Sequence, residues 1–167
     1  ENIQSRVTLF VNRGTVAGVT NFSAVQFPSS LNPVDLEIGD VSGDAVPDFA
    51  VGARSNGEGG VATGKVYVFS GVDGAVLYEI LGEREWDLLG SALAAVDDVD
   101  GDGVADFLAG APRRDQAKKP GRADLHSGAN GQRIARFEAT ANYTQLGAAL
   151  ASAPDLDLLA EHNWQGL

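Results

Sequence analysis

The chain has 167 residues, with 23 acidic against 12 basic side chains, a formal charge of −11 and no cysteine. A chain this acidic repels phosphate backbones and anionic lipid headgroups, which argues against nucleic-acid binding and against polybasic attachment to a membrane. Without cysteine there are no disulfides, thiolate metal sites or cysteine nucleophiles. No apolar run approaches the roughly 18 residues that span a bilayer, so membrane insertion is not expected.

The chain repeats itself with a period of 57 to 58 residues. Three pairs of segments show it: 40–48 (DVSGDAVPD) and 98–106 (DVDGDGVAD), 64–71 (GKVYVFSG) and 121–128 (GRADLHSG), and 89–95 (LGSALAA) and 146–152 (LGAALAS). The repeat predicts one array over residues 1–167, with units at about 1–30 (partial), 31–88, 89–145 and 146–167 (partial and degenerate).

In chain order, the segments of each unit are typical of β-strands. Residues 7–11 are a divergent copy of the strand predicted at 65–69, which is β-branched and aromatic. The turn residues 71–74 and a second strand at 75–80 complete a hairpin, and residues 121–138 repeat that hairpin with a turn at 128–131. Two shorter strands are predicted on either side of the second aspartate-rich segment, at 91–96 and 107–111. Four short strands in a unit of this length predict an all-β fold built of β-propeller-type blades.

The second aspartate-rich segment carries the clearest chemical signal. Carboxylates stand at positions 1, 3, 5 and 9 of a nine-residue loop, and a main-chain carbonyl at position 7 adds a further oxygen. The predicted ligands are Asp98, Asp100, Asp102, Val104 and Asp106. Oxygen ligands in this number suit Ca²⁺ better than Mg²⁺, which demands a stricter octahedron. The alternative is a solvated turn rich in Asp and Gly.

The first aspartate-rich segment has the same spacing with weaker chemistry. Its predicted Ca²⁺ ligands are Asp40, Ser42, Asp44, Val46 and Asp48. Because Ser42 replaces a carboxylate and Ala45 replaces a glycine, we expect lower affinity there. An EF-hand is rejected for the second segment, since position 12 is Ala109 and the flanks are strand-like.

These motifs resemble the FG-GAP repeat of integrin α-chain propellers and their bacterial relatives. Leu89-Gly90 stands at the Phe-Gly position, and Gly110-Ala111-Pro112 at the Gly-Ala-Pro position. The N-terminal part, through Asp48, also resembles the VCBS-type repeat of bacterial secreted proteins. The resemblance implies a β-propeller, an extracellular location, and Ca²⁺ held in loops on one face by the ligands named above.

The expected function is therefore that of a non-enzymatic, extracellular, calcium-binding propeller segment that serves adhesion, ligand binding or structural assembly, with the ion in a structural role. The expected partners are a protein or glycan ligand, or further copies of the chain. Since propellers close with about four to eight blades, the chain is expected to be either a fragment of a longer protein or a protomer that completes its fold by association. The alternative function is an accessory or partial scaffold of a secreted polysaccharide lyase or another hydrolytic enzyme.

Other candidate residues carry weaker signals. Five basic residues stand within 113–122, which is either a patch for an acidic partner or a solvated loop. His126 lies in a predicted strand and is interpreted as an ordinary packed histidine. Asn21 and Asn142 fit the N-glycosylation pattern.

Overall fold

The computed structural model describes residues 6–16, 19–28, 34–113, 119–141 and 144–152; for the first two ranges and for residues 37–38 it describes the backbone alone. Every element in this part of the chain is a β-strand. In chain order the strands are β1 (Arg6–Val16), β2 (Val19–Pro28), β3 (Asp35–Gly39), β4 (Asp48–Ala53), β5 (Lys65–Phe69), β6 (Val76–Leu81), β7 (Leu93–Val96), β8 (Asp106–Ala111), β9 (Arg122–His126) and β10 (Arg133–Glu138).

The strands form one hairpin and two four-stranded antiparallel sheets. Strands β1 and β2 pair with each other. Strands β3 to β6 form the first sheet and β7 to β10 the second, each with its strands neighbouring in chain order. A four-stranded antiparallel meander is the blade of a propeller, so we name these sheets the first blade and the second blade. The predicted all-β, propeller-type fold is confirmed.

Burial within a blade follows the position of each strand in the sheet. Strands β4 and β5 are buried at every residue, as expected for central strands that are covered on both faces. The outer strand β6 alternates between exposed and half-buried residues, and β10 is exposed or half-buried throughout. The two blades therefore follow one design, with their fourth strands towards solvent.

The main hydrophobic core lies between the two blades. Ala50, Val66 and Val68 of the first blade pack with Leu93 and Phe107 of the second; the cluster also includes Leu89, Ala109 and Ala111. A second cluster, on the opposite face of the first blade, joins Phe49, Val51, Ala53, Tyr67 and Phe69. Because side chains alternate between the faces of a strand, the two clusters share the same strands.

Glycines allow the blades to meet backbone against backbone. A Cβ placed on Gly52 would overlap the carbonyl of Gly90, and one placed on Gly110 would overlap the carbonyl of Gly147. Gly90 and Gly147 also have positive φ angles, 82° and 88°, which side chains disfavour. The same contact thus recurs one period later, and residues 146–147 meet the second blade as residues 89–90 meet the first.

The predicted strands agree closely with the observed ones. Strand β5 has the predicted bounds, β6 is displaced by one residue from 75–80, and β8 begins one residue before 107. Strand β7 begins at Leu93 instead of 91, because the N–H groups of Gly90 and Ser91 both donate to the single carbonyl of Gly110 on β8, which interrupts the regular pairing. Residues 7–11 lie within β1, while β2 was not predicted. Among the described residues there is no helix of the length and apolar character that crossing a membrane requires.

Candidate metal centre

The second aspartate-rich segment connects β7 to β8 as the predicted hairpin loop. Val96 and Asp106 pair across the two strands, so the chain leaves the sheet after Val96 and returns at Asp106. Gly101 and Gly103 have φ angles of 83° and 88°. Glycine adopts such angles without steric cost, and two of them curl the loop upon itself. We call residues 98–106 the second loop.

Carboxylates organise the backbone of the second loop. Oδ1 of Asp98 accepts hydrogen bonds from the N–H groups of Gly101 (2.7 Å) and Asp102 (3.2 Å), and its Oδ2 accepts one from Gly103 (2.8 Å). Oδ1 of Asp102 accepts one from the N–H of Val104 (2.9 Å). Aspartate favours such short-range bonds in turns, and here they wrap the chain around the side chain of its first residue.

Three of the four predicted carboxylate ligands converge. Asp98, Asp100 and Asp106 each offer an oxygen atom, and these atoms lie within 4.8 Å of one another. Oxygens bound to one Ca²⁺ at 2.3–2.6 Å can be at most about 5.2 Å apart, so this donor set fits around a calcium ion. Asp98 and Asp100 are exposed, which leaves the group open to solvent for the entry of an ion.

Asp102 lies outside this group of three. Its Oδ2 accepts a hydrogen bond from the hydroxyl of Ser127 at 3.3 Å, while its Oδ1 is bonded to the backbone of the loop. The remaining predicted ligand is the carbonyl of Val104, in the same loop. The N–H of that residue donates to Oδ1 of Asp102. The structure thus brings together the carboxylates of positions 1, 3 and 9, and holds that of position 5 against the neighbouring strand end.

Asp106 joins the loop to the rest of its blade. Its side chain is buried, with 1% exposure. Its Oδ2 accepts a hydrogen bond from the N–H of Val99 (2.8 Å), and its Oδ1 accepts one from the N–H of Gly128 (3.0 Å). Gly128 belongs to the turn between β9 and β10, residues 127–131, which we call the second hairpin turn. The ninth-position carboxylate therefore ties two connections of the blade together.

The first loop, residues 40–48, repeats this network. Asp40 accepts hydrogen bonds from the N–H groups of Gly43 (2.7 Å) and Ala45 (2.9 Å). Asp48 is fully buried and accepts bonds from Val41 (3.1 Å) and from Gly71 (2.8 Å), which belongs to the turn between β5 and β6. The backbone of the first loop is thus built like that of the second.

The two loops differ in their ligands and in one backbone angle. At position 3 the first loop has Ser42, and among the described residues the only group of three or more acidic side chains with convergent oxygens is that of the second loop. Asp44 bonds to the N–H of its own neighbour Val46 (2.8 Å). Ala45 has a φ of 65° at the position where the second loop has Gly103. This left-handed backbone conformation destabilises a residue that has a Cβ by roughly 1–2 kcal/mol.

Two basic residues of the segment 113–122 are buried, contrary to both interpretations of that segment as a surface feature. Arg122 pairs with the fully buried Asp87 (Nη1 to Oδ2, 2.7 Å) and with Asp124 (3.0 Å), and Nε of Arg113 lies 3.2 Å from Oδ1 of Asp87. Their charges are therefore used within the molecule. Arg114 and Lys118 lie outside the described residues.

A chain of ion pairs continues from Arg122 to the surface. Asp124 also pairs with Arg136 (2.7 Å), which in turn pairs with Glu83 (2.8 Å), as does Arg133. The hydrogen bonds from Arg136 and Arg133 hold the pKa of Glu83 at about 2, despite an opposing effect of partial burial. Glu83 follows the first blade and the arginines belong to the second, so these pairs join the two blades.

His126 is packed, as interpreted from the sequence. Its ring stacks on Phe107 with centroids 5.7 Å apart, and Nδ1 lies 2.9 Å from the carbonyl of Gly131. Nε2 is buried and has no hydrogen-bond partner in the described part of the chain. Burial lowers the pKa of His126, so the ring is neutral and donates from Nδ1. Asn142 lies outside the described residues, and Asn21 lies on β2, where the backbone alone is described.

Comparison of the sequence with known proteins finds a repeat family that includes these residues. Residues 89–131 match the family model of the FG-GAP repeat, a segment that contains the second loop and the whole of the second hairpin turn. The chain is 25% identical to integrin alpha-V of Gallus gallus over 146 residues, and 32% identical to integrin alpha-5 of Xenopus laevis over 93 residues. These alignments cover 83% and 56% of this chain but 14% and 8% of the two relatives. The predicted resemblance to the FG-GAP repeat is thus confirmed for residues 89–131, which include strands β7 to β9.

Proposed function

We propose that the chain is a calcium-binding, non-enzymatic segment of an extracellular β-propeller that serves adhesion, ligand binding or structural assembly. The observation that carries this proposal is the convergence of Asp98, Asp100 and Asp106 within 4.8 Å. Carboxylates held so close repel one another in the absence of a cation. A hard divalent cation removes that repulsion, and Ca²⁺ accepts the irregular oxygen set of such a loop.

The proposed ligands of the second loop are Asp98, Asp100, Asp102, Val104 and Asp106. Asp102 would reach the ion by releasing the hydroxyl of Ser127, a weak bond at 3.3 Å. The proposed ligands of the first loop are Asp40, Ser42, Asp44, Val46 and Asp48. With fewer carboxylates, the first loop would bind Ca²⁺ more weakly.

The role of the ion would be structural. Each loop lies at the end of the first two strands of its blade and is bonded to the turn between the last two. A cation bound there would stabilise the folded state by mass action, by about 2.7 kcal/mol at a concentration one hundred times the dissociation constant. The ordered loops and strand ends would then present a binding surface for a protein or glycan partner.

The repeat units are proposed to be 31–88 and 89–145, with partial units at 1–30 and 146–167. The recurrence of the glycine contact supports this division, since Gly90 meets the first unit and Gly147 meets the second in the same way. We propose that further blades, from a longer chain or from other copies, cover the faces that two blades leave open. The integrin relatives are several times longer than the matched segments, which supports the proposal that the further blades come from a longer chain.

Thermal unfolding in millimolar Ca²⁺ and in chelator tests the proposal. We expect a higher melting temperature in Ca²⁺, and we expect Asp100→Asn to weaken binding at the second loop about tenfold or more, because it removes one charged ligand. Asp97→Asn is the matched control, because Asp97 is exposed, precedes the loop, and loses the same charge. Equal melting temperatures of the wild-type protein in Ca²⁺ and in chelator would refute calcium binding.

A further inference from the structure

We propose that Tyr78 of the first blade is a positioning residue for the second loop, and that its hydroxyl raises the cation affinity of that loop from across the boundary between the blades. The inference rests on the proposed calcium binding. It concerns a residue outside both loops, on a strand of a different blade.

Tyr78 packs against the second hairpin turn. It stands on β6, and its hydroxyl donates a hydrogen bond to the carbonyl of Gly128, with the carbonyl of Ser127 at 3.5 Å. Its ring lies against Gly131: a Cβ on that glycine would be 2.7 Å from two ring atoms. Gly131 has a φ of 73°, so both its backbone conformation and the ring above it require glycine.

The second hairpin turn, which Tyr78 contacts, is also hydrogen-bonded to the second loop. The N–H of Gly128 donates to Oδ1 of Asp106 at 3.0 Å, and the hydroxyl of Ser127 donates to Oδ2 of Asp102 at 3.3 Å. The backbones also touch, because a Cβ on Gly128 would overlap the carbonyl of Ala105. The position of the turn therefore sets the position of the Asp106 carboxylate, while the bond from Ser127 holds Asp102 until that carboxylate moves to the ion.

Tyr78 remains a hydrogen-bond donor under all physiological conditions. Burial, and then the nearby carboxylates of Asp48, Asp106 and Asp102, raise the pKa of its hydroxyl. Ionisation is thus suppressed, and the proton stays available for the carbonyl of Gly128. These carboxylates come from both loops, and Asp48 and Asp106 line one cavity of about 20 Å³.

The first loop is an internal reference for this effect. The turn bonded to the first loop, at residues 70–74, receives no hydrogen bond from Tyr78 in the described part of the chain, because the Tyr78 hydroxyl bonds to the second hairpin turn. The hydrogen bond of the Tyr78 hydroxyl is therefore made to the turn that belongs to the second loop.

Calorimetric titration with Ca²⁺ tests the proposal in a protein whose first loop is disabled by Asp40→Asn and Asp44→Asn. We expect Tyr78→Phe in this background to bind Ca²⁺ about three- to tenfold more weakly, the effect of losing one hydrogen bond. Tyr67→Phe is the control: it removes a hydroxyl from the same blade, on a ring that stacks on Phe69 on the opposite face. Its affinity should equal that of the background.

Melting temperatures in chelator separate positioning from a general loss of stability. A lower melting temperature of Tyr78→Phe with unchanged Ca²⁺ affinity would overturn the proposal, because Tyr78 would then act on the fold alone. A background protein that fails to bind Ca²⁺ while the wild-type protein binds it would contradict a site in the second loop; failure of both would contradict the proposed function itself.

Amide hydrogen exchange supplies a measurement that does not depend on a variant of Tyr78. In the same background, Ca²⁺ should slow exchange in residues 127–131 and leave that in residues 70–74 unchanged. Slowing in 127–131 supports the coupling of turn and loop on which the proposal depends. Unchanged exchange in both turns would overturn it.

Discussion

The two blades have the same order and pairing of strands, yet their corresponding faces are built from different side chains. On the first blade, the face turned away from the second blade carries Phe49, Tyr67 and Phe69 in an aromatic cluster. One period later the same positions hold Phe107, Asp124 and His126, on the face that meets the first blade. The backbone of the repeat thus accepts an aromatic contact or a polar one.

The contrast is sharpest at Lys65 and Arg122, which open the third strand of each blade. Both are buried, but Lys65 extends to Glu58 (2.6 Å) and Glu79 (2.7 Å) near the surface. Burial lowers the pKa of Lys65, but the hydrogen bonds to these two glutamates outweigh it and raise the pKa above its ordinary value. Arg122 instead pairs with Asp87, which is fully buried. The first blade thus pairs its buried cation with exposed carboxylates, and the second blade pairs its buried cation with a buried carboxylate.

The largest predicted effect follows from this difference. Asp87→Ala removes the carboxylate that pairs with both Arg113 and Arg122, which leaves two buried guanidinium groups without it. Removing one partner of a buried pair costs about 3–5 kcal/mol. We expect a loss of this size in the free energy of unfolding, measured with urea.

Glu58→Ala is the matched variant in the first blade. The side chain of Glu58 is 60% exposed and Lys65 keeps Glu79, so we expect a loss below about 1 kcal/mol. Equal losses for the two variants would mean that the blades do not differ in the way described.

The second prediction concerns His126, whose counterpart one period earlier is Phe69. The pKa of His126 is lowered in the folded protein by burial, opposed by Asp124 and by its bond to Gly131 and reinforced by Arg133 and Arg136. The unfolded state therefore binds a proton first. Stability that is present above the unfolded pKa of about 6.5 is lost as pH falls below it, by at most about 1.4 kcal/mol per pH unit.

His126→Phe copies the first blade and should remove this loss. We expect the free energy of unfolding, measured in chelator, to fall more between pH 7.5 and pH 5.5 for the wild-type protein than for the variant. Most carboxylates stay ionised over this interval, so their contribution cancels between the two proteins. Parallel pH profiles would show that His126 is readily protonated in the folded state.

The smallest predicted effect lies in the first loop. Ala45 has a φ of 65° where the second loop has Gly103, and Ala45→Gly relieves that strain. The gain is offset in part by the greater freedom of glycine in the unfolded chain, so we expect about 0.5–1 kcal/mol of added stability. Gly103→Ala should cost a similar amount in the second loop, where no atom lies within 4 Å of the added Cβ. A destabilising Ala45→Gly would contradict this account of the first loop.

The repeat made much of the fold predictable. A period of 57 to 58 residues, strand-forming segments such as 65–69, and turn residues at fixed places determined the number of strands per blade. The second loop was predictable for a related reason: its ligands are close in the chain, so spacing alone brings Asp98 and Asp100 together. Strand β2 begins 57 residues before β6, so the period alone would have placed it.

Contacts between the blades were not predictable in the same way. Asp87 belongs to no motif, and nothing near it in the sequence indicates that it pairs with Arg122, 35 residues later. The basic residues in 113–122 looked like a surface feature because burial of a charge depends on a distant partner. Tyr78 likewise gains its role from Gly128, on another blade.

The glycine contacts described above give the array a further property. Where Gly52 meets Gly90, and Gly110 meets Gly147, main chain rests on main chain, so the spacing and angle between neighbouring units do not depend on which side chains fill the interface. Substitutions elsewhere at the boundary can exchange aromatic rings for ion pairs while the pitch of the array stays constant. Such a scaffold can diversify its surfaces through mutation without changing its curvature.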